Sequence, residues 1–258
     1  MKLEGIIFDW AGTTVDFGCF APVRAFEEAF QVYGILPETE EIRKPMGMLK
    51  RDHVEAMLQM ERIGRLWLEK YGTEYKEKDI DAIYRESEKR ILRAISHYAT
   101  PNPYVTDTVD LLRKRGVKIG STTGYTRDMM EVLVPLAQEQ GYRVDYWVSA
   151  ETVGNYGRPY PYMIFRNMEK LGMSSVQRVM KIGDTKADIE EGKAAGVITV
   201  GVIEGSSEMG LSKEEYREMS EPVKKGKCRE VRERFFSYGA DYVINNFTEL
   251  LPLIDRLV

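Results

Sequence analysis

Short apolar runs recur along the chain, each bounded by Gly, Asp or charged residues. They are GIIF (5–8), VKIGST (117–122), VDYWVSA (144–150), VMKIGD (179–184), VITVGVI (197–203) and DYVIN (241–245). Runs this short and this continuously apolar read as strands buried on both faces, as in a parallel sheet. Helical patterns lie between most of them. In VTDTVDLLRKRG (105–116), Thr and Asp precede Val109, Leu111 and Leu112, then come Lys, Arg and Gly116. That order carries both helix start and stop signals. Strands alternating with helices predict βαβ units and an α/β fold with a doubly wound parallel sheet.

Residues 20–99 break this rhythm. APVRAFEEAFQVYG, RDHVEAMLQMERIGRLWLEKYG and DIDAIYRESEKRILRAISHY are three helical segments with no clear strand between them. Ile80, Ile83, Tyr84, Ile91 and Ile95 fall near helical spacing and form an apolar stripe opposed by charges. TPNPY at 100–104 reads as a return hinge. The expected organisation is a discontinuous α/β core (1–19 and 100–258) with an all-helical cap domain (20–99) inserted after the first strand. Residues 204–238 are charged and mostly helical in pattern, a surface excursion between the last two strands. Within it, EPVKKGKCREVRERF reads as a solvated helix face.

Composition narrows the function without naming it. The 258 residues are 43% hydrophobic and 30% charged, ample for a core, and the net charge of −4 gives no sign of nucleic-acid binding. The first apolar run is too short for a signal sequence, and no stretch approaches a membrane span. Two widely separated cysteines, Cys19 and Cys228, suggest a reduced compartment. Together these point to a cytoplasmic protein with no membrane partner. With only two histidines, His53 and His97, a histidine-rich zinc site is not expected.

Open parallel sheets bind ligands beyond the carboxyl ends of their strands. The first strand ends at Asp9, the second at Ser121, Thr122, Thr123 and Gly124, and the fourth at GDTKAD, Asp184 to Asp188. A carboxylate nucleophile, a hydroxyl beside backbone N–H groups and further carboxylates suit phosphoryl transfer assisted by one Mg2+ ion. Asp9, Asp184 and the Ala11 carbonyl are the candidate ligands. Ala11 cannot donate a proton to a departing alkoxide, so the leaving group needs other help. If the bond broken is P–C, the help required is an electron sink, which an imine on a lysine supplies. Lys50, in KPMGMLKRDHVEAM, is the candidate. Arg51 and an apolar surround lower an amine's pKa, and in a helix His53 shares its face and is placed to shuttle protons. A surface lysine among core methionines is the competing reading.

FDWAGT, STTG, GRPYP around Arg158 and GDTKADIEEG together resemble the haloacid dehalogenase superfamily, including its Rossmann-like core and its cap placement. Ala11 and Arg158 depart from its phosphatases, which carry Asp and usually Lys there. With DWAGTTVDFGCF, MGMLKRDHVEAM and GSTTGYTRDMM added, the chain is similar nearly end to end to the phosphonatase branch. That resemblance implies hydrolysis of the P–C bond of a small phosphonate, phosphonoacetaldehyde, through a Lys50 Schiff base and an aspartyl phosphate on Asp9. It implies Mg2+ held by Asp9, Ala11 and Asp184 with Asp188 in support, and a phosphoryl clamp of Thr123, Gly124 and Arg158. Cys19, Met46, His53 and Tyr125 would line the surroundings of the lysine, and the chain would form a homodimer through its cap. Two rivals stand beside it. A metal-free dehalogenase would survive chelation, and a non-catalytic binding relative would turn over no phosphonate.

Overall fold

The computed structural model of the protein describes residues 2–257. Each expected apolar run contains a strand: β1 (Gly5–Phe8), β2 (Lys118–Thr122), β3 (Tyr146–Val148), β4 (Val179–Gly183), β5 (Ile198–Val202) and β6 (Tyr242–Ile244). They form one parallel sheet in the order β3-β2-β1-β4-β5-β6. β3 is shorter than its apolar run. The Asp145 carboxylate takes the Ile119 N–H at 2.7 Å before the strand begins, and a 3-10 turn starts at Ala150.

Successive side chains of β1 feed opposite faces, as the two-residue strand period requires. Ile6 and Phe8 pack with α6 (Val105–Lys114), α7 (Arg127–Glu139) and α12 (Leu250–Leu257). Ile7 packs on the other side with α8 (Tyr162–Leu171) and α9 (Lys186–Ala195). Both faces are therefore covered, and each fully buried Ile or Phe contributes roughly 1.5–3 kcal/mol.

Between β1 and α6 lie α1 (Phe20–Val32), α2 (Thr39–Arg43), α3 (Lys50–Leu58), α4 (Glu61–Tyr71) and α5 (Glu77–Ala94). They enclose a hydrophobic core of their own, in which Phe26, Phe30, Val54, Met57, Trp67 and Ile83 are buried. The single helix expected over 51–72 is two helices. Met60 is extended, at φ −68° and ψ 135°, and the chain folds back so tightly that a Cβ on Gly64 would stand 3.0 Å from the Leu58 carbonyl. The stripe on α5 serves two cores. Ile80 and Ile83 pack within the helical insertion, whereas Ile91 and Ile95 pack with the sheet.

After β5 the chain makes a tight turn, then α10 (Lys213–Glu218) and α11 (Glu221–Ser237). Of α11 only Val231 and Phe235 are buried, which leaves its basic face to solvent. Among the described residues no helix is long and apolar enough to cross a membrane.

Register positions the functional end of the sheet. Phe8 lies opposite Ser121 on one side and Ile182 on the other. Asp9, Thr123 and Asp184 thus emerge side by side from three adjacent strands.

Candidate active site

Asp9 leaves β1 with its N–H bonded to the Ile182 carbonyl at 2.9 Å, and its buried carboxylate accepts from Arg158 Nη2 at 2.5 Å. The following residues reverse direction at once. Thr14 Oγ1 donates back to the Asp9 carbonyl at 2.9 Å, and Thr13 Oγ1 donates to Asp184 Oδ1 at 2.9 Å while lying 3.5 Å from Asp9 Oδ2. Gly12 makes the turn possible at φ +86°, where a Cβ would stand 2.2 Å from Asp184 Oδ2.

Oxygens of Asp9, Asp184 and Asp188 all lie within 4.8 Å of one another. Arg158 reaches Asp9 and stands 3.0 Å from Asp188, and Lys181 stands 2.8 Å from Asp188. The hydrogen-bond partners of Asp184 are both neutral: the Thr13 hydroxyl, and the Ser207 N–H at 2.7 Å. Burial, and then the charges of Asp9 and Asp188, push the Asp184 pKa well above the ordinary carboxylate range. Burial acts on Asp188 in the same sense, but Arg158 and Lys181 outweigh it and hold that carboxyl down. A hard divalent cation fits this all-oxygen cluster, because it would supply the charge that Asp184 lacks.

Behind Asp9 lies a buried polar network. Arg158 Nε donates to Glu191 Oε2 at 3.1 Å and Nη2 to the Thr122 carbonyl at 2.9 Å. Lys181 Nζ and Thr122 Oγ1 are 2.9 Å apart, and Thr122 Oγ1 donates to Glu191 Oε2 at 2.9 Å. Burying ions costs several kcal/mol each unless good geometry and hydrogen bonds compensate. Here each ion is paired with an opposite charge, although Glu191 makes its contacts through Oε2 and its Oε1 accepts no hydrogen bond. Thr13, Lys181 and Glu191 were not among the residues expected from sequence. A lysine inside the apolar run VMKIGD was the available signal, since a buried lysine needs a paired carboxylate.

Lys50 approaches from the helical insertion, at the first position of α3. It is buried, its Nζ 4.9 Å from the ring centroid of Tyr125 and 5.8 Å from that of Phe26. Burial lowers its pKa to about 8, with Cys19 and Asp9 pulling weakly the other way. Asp9, Ala11, Cys19, Met46, Lys50, Thr123, Gly124, Tyr125 and Arg158 line one narrow pocket, together with Pro22, Gly47 and Thr185. Thr123 Oγ1 accepts from the Tyr125 N–H at 3.0 Å, which holds the turn after β2. The volume open to the centre of a water-sized sphere is about 20 Å3, room for about one water.

Three sequence candidates lie outside this lining: Asp184 and Asp188, in the carboxylate cluster, and His53. His53 is fully buried, stacked on Phe26 at 3.9 Å between ring centroids, and neither ring nitrogen makes a well-formed hydrogen bond. Burial and then the Lys50 charge push its pKa well below the ordinary imidazole value. Helical spacing does put His53 on the inward face of α3, but that face is packed in the core of the insertion.

A buried carboxylate just after β1, a parallel sheet and a carboxylate cluster that includes residues after β4 fit a haloacid dehalogenase-like hydrolase, and the model of that family matches residues 3–196. The chain is 46% identical over 257 residues to phosphonoacetaldehyde hydrolase of Lysinibacillus sphaericus, covering all of this chain and 96% of the relative. It is 44% identical to a bifunctional phosphonoacetaldehyde hydrolase/aminoethylphosphonate transaminase of Clostridioides difficile, matching 99% of this chain but only 40% of that longer protein. A crystal structure of a phosphonoacetaldehyde hydrolase-like protein from Oleispira antarctica superposes with a TM-score of 0.97 at 36% identity, over the whole chain and 93% of the other. The chain belongs to the phosphonoacetaldehyde hydrolases, within the haloacid dehalogenase-like hydrolases.

Proposed function

We propose that the chain hydrolyses the P–C bond of phosphonoacetaldehyde to acetaldehyde and phosphate, with Mg2+, a Lys50 imine and an Asp9 acyl phosphate. In this reading residues 20–99 are a cap domain over a core of 1–19 and 100–258, and the chain pairs with a second copy through its caps. One observation carries the proposal. A buried lysine amine and a buried carboxylate line a single small pocket, and position 11 offers no acid.

Lys50 Nζ, as the free amine, adds to the aldehyde carbon and water departs, leaving an imine. An Asp9 oxygen attacks phosphorus as the P–C bond breaks, and the bond's electrons flow into the imine to give an enamine. The enamine takes a proton on carbon, and water cleaves the new imine to release acetaldehyde and restore Lys50. A second water then releases phosphate from Asp9. Because the departing electrons go into the imine, no acid is needed at Ala11. Arg158 holds Asp9 in place and balances charge beside the phosphoryl oxygens, with Thr123 and Gly124 at their other side. Asp9, the Ala11 carbonyl and Asp184 would hold Mg2+, with Asp188 in support, and the ion would supply positive charge to offset that on the transferred group. Cys19, Met46 and Tyr125 keep the amine dry. The cavity is too small for the substrate as it stands, so the cap opens to admit it.

Borohydride trapping tests this reading. With Mg2+ and phosphonoacetaldehyde, reduction should leave a two-carbon adduct on Lys50, and Lys50→Arg, which keeps the charge, should neither trap nor turn over. Phosphate release without any modified lysine would return the chain to ordinary phosphatase chemistry.

A further inference from the structure

The excursion after β5 has no part in the chemistry above, yet three contacts tie it to the cation-holding carboxylate and to the cap. Ser207 donates its N–H to Asp184 Oδ2 at 2.7 Å. Gly18, in the strand-to-cap linker, donates its N–H to the Gly205 carbonyl at 2.7 Å, and a Cβ on it would stand 2.4 Å from the Leu211 carbonyl. Arg43, the last residue of α2, reaches across with Nη1 to the Gly18 carbonyl at 2.8 Å and the Ser207 carbonyl at 3.3 Å. Its guanidinium lies over the Phe20 ring, 5.1 Å from the centroid.

We infer that Arg43 is a positioning residue that latches the closed cap onto the turn at 205–211 and thereby holds the Ser207 N–H against Asp184. The inference rests on the Mg2+ reading of the Asp184 cluster but not on the substrate. A carboxylate that ligates a metal is oriented by its own hydrogen bonds, and such outer partners tune metal affinity. Away from the cap the turn is fixed by α11, where Arg234 donates to the Glu208 carbonyl at 2.7 Å and to its carboxylate at 2.8 Å. Inside the turn, the Ser206 hydroxyl bonds the Ile203 carbonyl and accepts from the Met209 N–H. Its face toward the cap is held by the Gly18 linker and by Arg43. Closing the cap therefore seats Arg43 between two carbonyls, Gly18 and Ser207, and stiffens the peptide that aims at Asp184. Lifting the cap removes the cation and frees that peptide. Cap position and cation affinity are linked through one side chain, so Mg2+ favours the closed cap and the closed cap favours Mg2+.

The test is calorimetric titration of Mg2+ into the full-length wild type, Arg43→Met and Arg43→Lys. Arg43→Met keeps an apolar stem over Phe20 but loses every donor, and it should bind Mg2+ about 10-fold more weakly. Arg43→Lys restores a cation and donors, and should recover part of that loss. Amide exchange at 205–208 should rise in Arg43→Met and return toward normal in Arg43→Lys. If Arg43→Met does not fold, Arg43→Leu, which also lacks any donor, replaces it with the same expectation. Unchanged Mg2+ affinity in the donor-less variant would overturn the latch, as would equal loss in Arg43→Met and Arg43→Lys. A wild type that binds Mg2+ but cleaves no phosphonoacetaldehyde would refute the substrate and leave the latch to be judged on these titrations. A wild type that binds no Mg2+ would remove both.

Discussion

A lysine amine adds to a carbonyl only as the free base, and burial brings Lys50 within reach of that state. Its pKa near 8 means that the amine is mostly protonated at pH 7 and mostly free at pH 9. The logarithm of kcat/KM should therefore rise with pH through about 8 and then level, measured as phosphate release at subsaturating substrate. A profile flat from pH 6.5 to 9 would mean that Lys50 is not the titrating nucleophile. Met46, Met48 and Leu49 made Lys50 a candidate, and the resemblance of MGMLKRDHVEAM to the phosphonatase branch singled it out over a surface lysine. The sequence could not weigh Lys181 or Glu191, because their importance comes from sharing Thr122 and Arg158 with residues distant in sequence.

At the scale of elements, the loop between α2 and α3 decides whether the two halves of the site meet. Gly47, at φ +87°, sits against Thr185, and a Cβ on Gly157 would stand 2.6 Å from Leu49 Cδ2. At Gly124 the opposing atom is backbone rather than side chain: an added methyl would stand 2.8 Å from the Met48 carbonyl. The φ of Gly124 lies outside the left-handed range, so alanine suits the backbone there and the conflict is with the opposing loop. Gly124→Ala should fold with a near-normal melting temperature yet lose about 10- to 100-fold in kcat/KM, because closure stops several tenths of an ångström short. Normal kcat/KM in that variant would show that closure to this contact is not needed. Strand and helix identities were legible from apolar run length and capping order. The break between α3 and α4 was not, because neither Gly nor Pro marks residues 59 and 60, and packing against Leu58 imposes the turn.

For the whole molecule, the helical insertion carries large apolar side chains that its own core leaves outside. Val32, Leu36, Leu68 and Tyr71 are all exposed, and Tyr71 Oη donates to the Tyr33 carbonyl at 2.9 Å, which draws α4 toward the end of α1. A patch of this kind suits the cap-to-cap pairing proposed above. Sedimentation velocity at micromolar concentration should find a dimer, and Leu36→Glu with Leu68→Glu should convert it to a folded monomer. A monomeric wild type would refute pairing through this face.

By itself the sequence determined the parallel α/β sheet, the helical interruption after β1, and the clustering of polar residues at strand ends. These follow from local order: run length, helix signals and the placement of Asp9, Thr123 and Asp184 just past apolar segments. Only the tertiary structure decided which of those residues share a cavity. It set Lys50 against Tyr125, turned His53 into the core of the insertion, and gathered Arg158 and Lys181 around Asp188 and Glu191. The physical reason is that burial and charge pairing are sums over neighbours in space. A side chain's sequence position fixes the face it occupies, and the packing of that face against another element fixes what it can do.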